Sequence, residues 1–550
     1  MKITIQEVGG KAYQVEKGQS IEALVKELQS ERKSMIVAAK VHNTLRELTY
    51  ALEEDASIEF VDLSAVDGMR IYQRSLLFVF IRACMELHKN IFVNVQHSLS
   101  KGLYCEITHN HRLSKEDVKE IENRMQEIID SDETFVKTSM LKDEAIKMFE
   151  SYHMVSKVNL LKYRESDRVN IYSCGWLKNY FYGYMLPSTS YIKTFGLLQY
   201  DKGIILRHPT NFSLDVLPEF KETPKLASIF NESEDWGKII GVSDVASLND
   251  CIVSGCSGEV IRTAEALQEK KISQIADMIA GSGKRVILIA GPSSSGKTTF
   301  ANRLKVQLKV NGLNPITMST DDYFVDREFT PIDEDGKFDF ESIKAVDVHQ
   351  FNVDLGGLLA GELVDLPTFD FKEGKRKYTG KQLQIASDQL VIIEGIHGLN
   401  EQFTREIYQK DKFKIYISAL TQLNIDHHNR IPTTDTRLLR RIVRDYNYRG
   451  NDARGTIKQW PSVRQGEEKN IFPYQEDADV IFNSALVYEL AILKKYAEPL
   501  LDKITDDEEG YSEAKRLLKF LSYVKSIDDD DLVMNISILK EFIGGSSFRE

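Results

Sequence analysis

The sequence predicts an α/β protein whose C-terminal half is a doubly wound parallel sheet, preceded by a small β-grasp domain and a mixed α+β domain. From about residue 284, short apolar runs alternate with helical stretches, as in sheets whose strands are buried on both faces. At the N-terminus, strand-like alternation surrounds one helical stretch, which is a β-grasp-like pattern. Between these two parts, helical and strand-like periods are mixed.

The elements before the parallel sheet are expected in the following order. Residues 1–8, 11–16, 35–41 and 57–63 are strand candidates, and 20–29 has the apolar spacing of a helix. Next come helices over 72–88 and 114–129, strands at 91–96 and 103–109, and an aromatic, strand-like segment over 172–191. A long helix over 259–279 ends at the Gly-Ser-Gly stop of residues 281–283.

The parallel sheet is expected from the apolar runs 285–290, 315–319, 390–395, 413–418 and 480–482. Together these patterns predict five segments, namely a β-grasp domain (1–62), an α+β domain (63–230), a helical connector (231–283), the sheet domain (284–500) and a helical extension (501–550).

Composition indicates a globular protein, with 42% hydrophobic residues, 28% charged residues and a formal net charge of −12. An acidic chain is a poor general binder of nucleic acid. No apolar run is long enough to cross a bilayer and no secretory signal is recognisable, so we expect a cytoplasmic protein. The five cysteines form no CxxC pair, so we expect no disulfide framework, and Cys251 and Cys256 are interpreted as ordinary thiols.

The strongest motif is GPSSSGKT at residues 291–298, which matches the phosphate-binding pattern GxxxxGK[ST]. A buried-type strand precedes it and a helical stretch follows. In such a loop, backbone N–H groups and a helix N-terminus bind phosphate oxygens, Lys297 reaches the β- and γ-phosphates, and the Thr298 hydroxyl can ligate Mg²⁺. The expected nucleotide ligands in and next to this loop are Gly291, Ser293, Ser294, Ser295, Gly296, Lys297, Thr298 and Thr299.

A phosphate-binding loop alone does not distinguish a kinase from other nucleotide-binding proteins, but two carboxylates favour a kinase. Asp321 follows the strand candidate 315–319, so it is expected at the carboxyl edge of the sheet, where ligands bind. There it can take a proton from an acceptor hydroxyl and help to hold Mg²⁺. Glu394 ends a buried strand and is expected beside the same ion, whereas His397 is interpreted as a structural residue.

A basic helix is predicted at 435–445, where Arg437, Arg440, Arg441 and Arg444 fall on one face. Four arginines on one helix face indicate a clamp for phosphates or carboxylates. The alternative left open is a set of solvated arginines paired with Asp435 and Asp445.

These motifs resemble those of the uridine kinase/phosphoribulokinase family. The segments GPSSSGKTT, STDDYF, FDF at 338–340, PTFDF, VIIEGIHGLN and DTRLLRRIVRD occur in that family's order over about residues 284–500. The resemblance implies an ATP-dependent kinase, or one using GTP, that phosphorylates a nucleoside 5′-hydroxyl with Mg²⁺. It further implies that Asp321 is the catalytic aspartate, that Asp339 binds ribose hydroxyls, and that the four arginines lie on a lid helix. The substrate ligands expected from it are Asp339, Phe369, Asp370, Arg437 and Arg440, while Arg441 and Arg444 are expected to bind ATP.

The sequence departs from that family in the acceptor pocket. In uridine-cytidine kinases, the segment after the proline of the PTFDF motif carries a Tyr and, five residues later, a His. Both of these side chains recognise the pyrimidine by hydrogen bonding. Here these positions are Phe369 and Gly374, which lack the hydrogen-bonding groups. The identity of the acceptor therefore stays open.

The N-terminal half resembles other families. Residues 1–62 are similar to a TGS domain, and 63–230 resemble the editing domain of threonyl-tRNA synthetase through the Ser75 helix, KGLYCEI at 101–107 and Cys174-Gly175. Arg74 and Phe78 replace the histidine pair of that editing centre. We therefore expect neither a metal site nor editing hydrolysis there, but a binding or regulatory role.

Three interpretations follow. The first is a nucleoside kinase with an N-terminal sensory module, and the second is a kinase for another sugar or polyol, as in phosphoribulokinase. The third is a tRNA-associated regulator whose phosphate-binding loop is a nucleotide switch. A small-molecule acceptor is the expected partner, tRNA binding through the N-terminal half is not excluded, no membrane partner is expected, and homo-oligomerisation stays open.

Overall fold

The computed structural model describes residues 1–28, 34–109, 112–332, 336, 338–370, 372–421 and 423–548. The helix end expected at residue 29 and Phe371, the last residue of the PTFDF motif, lie outside the described residues. Within these ranges, no helix is both long enough and apolar enough to cross a bilayer.

The N-terminal residues form a five-stranded mixed sheet with one helix packed against it. These elements are β1 (Lys2–Glu7), β2 (Ala12–Glu16), α1 (Ile21–Leu28), β3 (Ile36–Val41), β4 (Thr44–Glu47) and β5 (Ala56–Asp62). The spatial order is β2-β1-β5-β3-β4, and β1 pairs with β5 in parallel. Helix α1 buries Ile21, Leu24, Val25 and Leu28, which is the apolar face that the sequence predicts.

The next region holds two antiparallel sheets and one long buried helix. Its elements are α2 (Val66–Leu87), β6 (Phe92–Leu99), β7 (Gly102–Thr108), α3 (Lys115–Asp130), β8 (Val136–Leu141), α4 (Lys142–Ser151), α5 (Val155–Lys162), β9 (Arg168–Cys174), β10 (Leu177–Asn179), β11 (Gly196–Tyr200) and β12 (Gly203–Arg207). The sheets run β11-β12-β7-β6 and β10-β9-β8. Ser114 caps α3 through a capping box with Asp117, as its position before the helix predicts.

Only part of the aromatic segment 172–191 is strand, so that prediction is wrong beyond β10. Tyr180, Phe181, Met185 and Leu186 are all buried. Their spacing in the chain does not alternate between two faces, and the segment runs through the core as irregular chain with a 3₁₀ turn at Thr189–Tyr191.

Three helices connect the two halves of the chain. They are α6 (Pro224–Ile240), α7 (Val245–Ser254) and α8 (Ser257–Ser282), and α8 ends at Gly283, whose φ is 68°. The sulfur atoms of Cys251 and Cys256 lie within bonding distance at the end of α7, so the expectation of two ordinary thiols is wrong for this pair.

The C-terminal half is built on a five-stranded parallel sheet. Its elements are β13 (Val286–Ala290), α9 (Lys297–Val310), β14 (Ile316–Ser319), α10 (Val348–Ala360), β15 (Val364–Asp370), β16 (Lys375–Leu383), β17 (Val391–Glu394), β18 (Lys412–Ser418), β19 (Asn424–Asp426), β20 (Asn429–Arg430), α11 (Thr433–Arg444), α12 (Ala453–Asn470), β21 (Val480–Asn483), α13 (Glu489–Leu501), α14 (Tyr511–Leu521) and α15 (Lys540–Ile543). The order β14-β17-β13-β18-β21 puts the strand before the glycine-rich loop at the centre. This confirms the predicted doubly wound sheet.

The two halves share a hydrophobic core and are joined by buried polar bonds. The Val95 N–H donates to the His427 carbonyl at 2.8 Å. Lys157 Nζ and Asp426 Oδ1 form a fully buried ion pair at 2.9 Å. The core cluster around α2 continues without a break into α13 and α14. The N-terminal half is therefore packed firmly against the parallel-sheet half.

Candidate active site

The glycine-rich loop connects β13 to α9 at the carboxyl edge of the parallel sheet. Gly296 caps α9 with a φ of 81°, a region of backbone conformation in which glycine is least strained. Ser294 also has a positive φ, 59°, which is uncommon for a residue with a side chain. This backbone path turns successive N–H groups toward one concave surface at the start of the helix.

Two backbone N–H groups, one in this loop and one in the first turn of α9, donate hydrogen bonds to carboxylate oxygens. The Ser293 N–H donates to Glu467 Oε1 at 3.0 Å. The Thr299 N–H and hydroxyl both donate to Glu541 Oε2, at 3.1 and 2.8 Å. The loop therefore binds anionic oxygens in the way its motif predicts, but here they come from α12 and from the C-terminal helix α15.

Lys297 folds back over its own loop. Its Nζ donates to the carbonyls of Gly291 and Pro292 at 3.0 and 3.3 Å. The hydroxyls of Ser294 and Ser295 are buried and have no hydrogen-bond partner among the described residues. The loop thus retains polar groups whose bonding capacity is unused within the part of the chain that the structure describes.

Glu394 and Asp321 are brought together by neighbouring strands. Glu394 is the last residue of β17, and it pairs in register with Ser319, the last residue of β14. Asp321 follows two residues later in a 3₁₀ turn. The close approach of this turn requires Gly395, because a Cβ there would lie 1.8 Å from Thr320 Oγ1. The predicted convergence of the two acids at the sheet edge is what the structure has.

Three carboxyl groups on which the charge of Lys297 acts have raised pKa values. Burial raises the pKa of Glu394 to about 7, although Lys297 opposes this shift. The Asp321 side chain is exposed to solvent. Even so, the surrounding protein atoms raise its pKa, and the charges of Lys297 and Arg449 oppose this rise. The Glu341 carboxyl also has its pKa raised, to about 7, mainly by burial and by Glu467.

These oxygen donors fit a magnesium ion. The Thr298 hydroxyl donates to Glu394 Oε1 at 2.8 Å, so both groups lie at one point beside Lys297. Among the residues that the structure describes, no three His, Cys, Asp or Glu side chains form a complete metal cage. Mg²⁺ is commonly bound by one or two carboxylates together with substrate phosphates and water, so the donor set matches that mode.

Helix α11 is predicted as an arginine clamp, and two of its arginines are fully buried in ion pairs. Arg437 Nη2 lies 2.5 Å from Glu467 Oε2, and Arg440 Nη2 lies 2.5 Å from Glu489 Oε2. Asp435 pairs instead with Arg516. The alternative of solvated arginines paired with Asp435 is therefore wrong for Arg437 and Arg440. Their role as substrate ligands stays a prediction.

The other two arginines of α11 lie closer to the loop. The Arg441 Nη1 group donates to the Ser293 hydroxyl at 2.8 Å. Arg441 and Arg444 both also pair with Asp445, at 3.2 and 2.7 Å. Arg441 thus contacts the phosphate-binding loop directly. Among the residues that the structure describes, Arg444 makes no hydrogen bond or ion pair with a residue of this loop.

The residues predicted to line the pocket for the acceptor substrate, apart from those of α11, lie in two places. One is the segment between β14 and α10, and the other is the end of β15 with the turn that follows it. Phe369 is buried against the ring of Phe324 at 5.6 Å, and its N–H donates to Asp322. Asp370 caps the β15–β16 turn and pairs with Lys377 at 2.9 Å. Gly374 packs against the side chain of Arg327, and a Cβ atom added at Gly374 would lie 2.8 Å from Arg327 Nε. Asp339, which is also predicted to bind the substrate, lies two residues before Glu341 and accepts a hydrogen bond from its N–H at 3.2 Å.

His397 is buried, and burial lowers the pKa of its ring to about 4. It therefore stays neutral at physiological pH, which agrees with a structural role.

In the N-terminal half, Cys174 ends β9 and its sulfur accepts a hydrogen bond from Arg82 Nη1 at 3.4 Å. Arg74 lies on α2, where its Nη1 donates to the Tyr184 carbonyl at 2.7 Å.

Sequence reasoning missed three acids of this site. Glu341, Glu467 and Glu541 surround the loop but belong to no motif of the loop or of its flanking strands. The only local signal is the position of Glu341 two residues after Asp339. Glu467 and Glu541 are brought in by tertiary packing alone, so no spacing rule could find them.

Comparisons with known proteins find relatives of both halves of the chain. Residues 286–491 match the Phosphoribulokinase / Uridine kinase family. Among solved structures, a possible uridine kinase from Bacillus stearothermophilus is 20% identical, with 39% of this chain and 98% of that chain covered at a TM-score of 0.27. D-glycerate 3-kinase from Cryptococcus neoformans var. grubii is 16% identical, with 46% and 87% covered at a TM-score of 0.22.

A second set of relatives consists of threonine–tRNA ligases, which match the N-terminal region. The ligase of Nitratidesulfovibrio vulgaris is 28% identical over 200 residues, which are 36% of this chain and 31% of that enzyme. The ligase of Anaplasma marginale is 29% identical over 163 residues, or 30% of this chain and 26% of the ligase. The chain spans less than a third of the length of these relatives.

The family match covers the central sheet, the glycine-rich loop, both site carboxylates and the arginine helix. Residues 286–491 of this chain therefore form a P-loop kinase domain of the phosphoribulokinase / uridine kinase family.

Proposed function

We propose that this chain is an ATP-dependent kinase that phosphorylates the 5′-hydroxyl of a nucleoside. The single observation that carries the proposal is the convergence of Asp321 and Glu394 on Lys297 and the Thr298 hydroxyl, at the start of α9. A loop for triphosphates that faces an accessible carboxylate has both parts that phosphoryl transfer to an alcohol requires.

The triphosphate is bound by replacing the carboxylates at the loop. Phosphate oxygens take the N–H donors of Ser293 and Thr299 from Glu467 and Glu541. Lys297 leaves the carbonyls of its own loop and pairs with the terminal phosphates. Each exchange replaces a bond to a carboxylate or carbonyl by a bond to a more highly charged oxygen.

Asp321 accepts the proton of the acceptor hydroxyl as that oxygen attacks the γ-phosphorus, while the bond from this phosphorus to the bridging oxygen breaks and ADP leaves. Desolvation by the surrounding protein atoms raises the pKa of Asp321, which makes it a stronger base than an ordinary aspartate, and the charges of Lys297 and Arg449 oppose this rise. Thr298, Asp321 and Glu394 would hold Mg²⁺, which neutralises charge on the phosphates when bound. Arg441, beside the Ser293 hydroxyl, is positioned to stabilise charge on the transferring group.

A second candidate acceptor is another sugar or polyol. The observation that favours it is the absence of hydrogen-bonding side chains at Phe369, which packs on Phe324, and at Gly374, which packs on Arg327. Neither position offers a group that could read the edge of a pyrimidine. The similarity to threonine–tRNA ligases keeps a third function, a tRNA-associated regulator, within the scope of the test.

The experiment is a panel of acceptors with ATP, GTP and Mg²⁺ on the full-length protein, with phosphorylated products identified by mass spectrometry. Turnover of a nucleoside at its 5′-oxygen supports the first candidate, and turnover of sugars or polyols alone supports the second. If no alcohol is phosphorylated while tRNA binds the chain, the kinase proposal is wrong and the regulator is favoured.

A further inference from the structure

A group of cations outside the phosphate-binding loop lies where the N-terminal half meets α14. Its members are Arg74 on α2, Lys137 on β8, Arg164 after α5, and Lys519 on α14. We call this group the cationic cleft. Four separate segments of the chain supply its charges, so it exists only in the folded protein.

Tyrosine side chains hold three of these cations in place. The guanidinium carbon of Arg74 lies 5.4 Å from the ring centre of Tyr182, and Lys137 Nζ lies 5.0 Å from that of Tyr184. The guanidinium carbon of Arg164 lies 4.9 Å from the ring centre of Tyr523. These contacts orient the cations without neutralising them.

Lys519 has no partner of its own. Its amine makes no hydrogen bond or ion pair with any residue that the structure describes, and it remains exposed to solvent. Arg74, Arg164 and Lys137 all act on it electrostatically, and Glu47 is the opposing charge. Surrounding atoms and these like charges lower the pKa of Lys519 to about 8.

Charge in the cleft is far from balanced. Glu47 is already engaged, because it accepts from Lys137 Nζ at 2.7 Å and from the Tyr172 hydroxyl at 2.8 Å. Arg164 donates to the Ser522 hydroxyl at 3.0 Å, but its Nε is buried without a partner. Like charges that are held together repel one another, and a buried donor without an acceptor is costly. A chain of net charge −12 has many acids that could have been placed here.

We propose that the cationic cleft is a second anion site, which binds the phosphate groups of a small phosphorylated ligand. Arginine forks and lysine amines are the donors that suit phosphate oxygens, and both the Arg164 Nε and the Lys519 amine lack an acceptor among the residues that the structure describes. A small ligand is favoured over a long nucleic acid because the cations form one compact group on an otherwise acidic protein.

The test is calorimetric titration of inorganic tripolyphosphate into the full-length chain. The Lys297→Ala background is used throughout so that binding at the phosphate-binding loop is weakened. We expect Lys519→Gln and Arg164→Gln each to weaken binding about tenfold, the equivalent of about 1.4 kcal/mol. Lys515→Gln, which removes an exposed cation from the same helix, is the matched control and should bind as the background does.

A conservative variant separates charge from structure. Lys519→Arg keeps the cation and should keep the binding. Because the charge of Lys519 is lost as pH rises through about 8, affinity should fall between pH 7 and 9 in the background, and less so in Lys519→Arg. The charged groups that face this amine are Arg74, Lys137, Arg164 and Glu47.

Two results would overturn the proposal. One is equal affinity of Lys519→Gln, Arg164→Gln and Lys515→Gln for tripolyphosphate while circular dichroism shows all three folded. The other is binding of an RNA hairpin, but of no small phosphate, in a manner that depends on Lys519. If Lys519→Gln fails to fold, Arg164→Gln and the pH dependence of Lys519→Arg decide the question.

Discussion

At the scale of single residues, the contact of Glu541 with Thr299 governs access to the loop. A carboxylate that accepts from both the N–H and the hydroxyl of Thr299 competes with any phosphate that needs the same donors. Hydrogen bonds to charged groups contribute about 1.5–3 kcal/mol, so this competition is strong enough to alter nucleotide affinity. The acid is therefore as much a part of the site as the motif residues.

We expect Glu541→Gln to bind ATP more tightly than the parent chain, by about threefold to tenfold, because the competing charge is removed. Fluorescence titration with a nucleotide analogue measures the change. Asp528→Asn is the control, since it removes an exposed charge from the same C-terminal extension without touching the loop. Equal or weaker binding by Glu541→Gln would mean that its carboxylate does not compete with phosphate.

Residues of the loop were predictable, whereas the acids around them were not. The motif at 291–298 specifies a local backbone path that needs few long-range contacts, so its residues can be identified from spacing alone. Glu467 reaches Ser293 across 174 positions of sequence, and Glu541 reaches Thr299 across 242. Such contacts depend on how α12 and α15 pack, which no local pattern encodes.

At the scale of elements, the turn that carries Asp321 is held against β17 by a close contact. The room for Thr320 exists only because residue 395 lacks a side chain. Strands β14 and β17 end in register, so any shift of this turn moves Asp321 relative to Glu394. The geometry of the two acids thus depends on a glycine that takes no part in the chemistry.

For this reason we expect Gly395→Ala to lower kcat by at least about tenfold, since small displacements of a catalytic group are costly. ATP affinity should change much less, because the loop itself is untouched. Gly398→Ala is the matched control, with a new Cβ at an ordinary 3.4 Å from Ala290 Cβ. Unchanged kcat in Gly395→Ala, measured by coupled assay, would show that the turn can shift without loss.

The elements that the sequence predicts are recognisable for different physical reasons. The strands of the parallel sheet are continuous apolar runs, and α1 and α3 have clear helical spacing or a capping residue. Strand β4 was missed because Thr-Leu-Arg-Glu is short and half-buried throughout. Residues 180–186 were misread because an irregular buried segment can be as aromatic as a strand.

At the scale of the whole molecule, the two halves are joined by a buried ion pair. Lys157 of α5 and Asp426 of β19 are both inaccessible to solvent, and Asp426 also accepts from the N–H groups of His428 and Asn429. Lys157 Nζ further donates to the Tyr180 carbonyl at 3.0 Å. Removing the lysine would leave a buried carboxylate without its cation.

We expect Lys157→Met to lower the free energy of unfolding by about 3–5 kcal/mol, which is the usual cost of breaking a buried pair. Urea denaturation followed by tryptophan fluorescence measures the shift of the midpoint. Lys162→Met, an exposed change on the same helix, should alter stability by less than about 0.5 kcal/mol. A midpoint for Lys157→Met equal to that of the control would contradict the structural importance of the pair.

The joint packing of the halves could not be predicted from the sequence. The motifs indicate a TGS-like domain, a threonyl-tRNA synthetase editing-like domain and a kinase domain as separate segments. The core that passes from α2 into α13 and α14 depends on complementary shapes hundreds of residues apart. The cationic cleft arises from the same packing, since α14 supplies Lys519 to a surface formed by the N-terminal half.

In the proposed reaction the loop holds a triphosphate so that Asp321 can activate an alcohol. The most direct measurement is single-turnover transfer of labelled γ-phosphate from ATP to an acceptor found in the panel, comparing the parent chain with Asp321→Asn. Glu328→Gln, an exposed acid seven residues further on, is the control. We expect Asp321→Asn still to bind ATP and to transfer the phosphoryl group at least about 100-fold more slowly, whereas transfer at the rate of the control would contradict the role of Asp321 as the base.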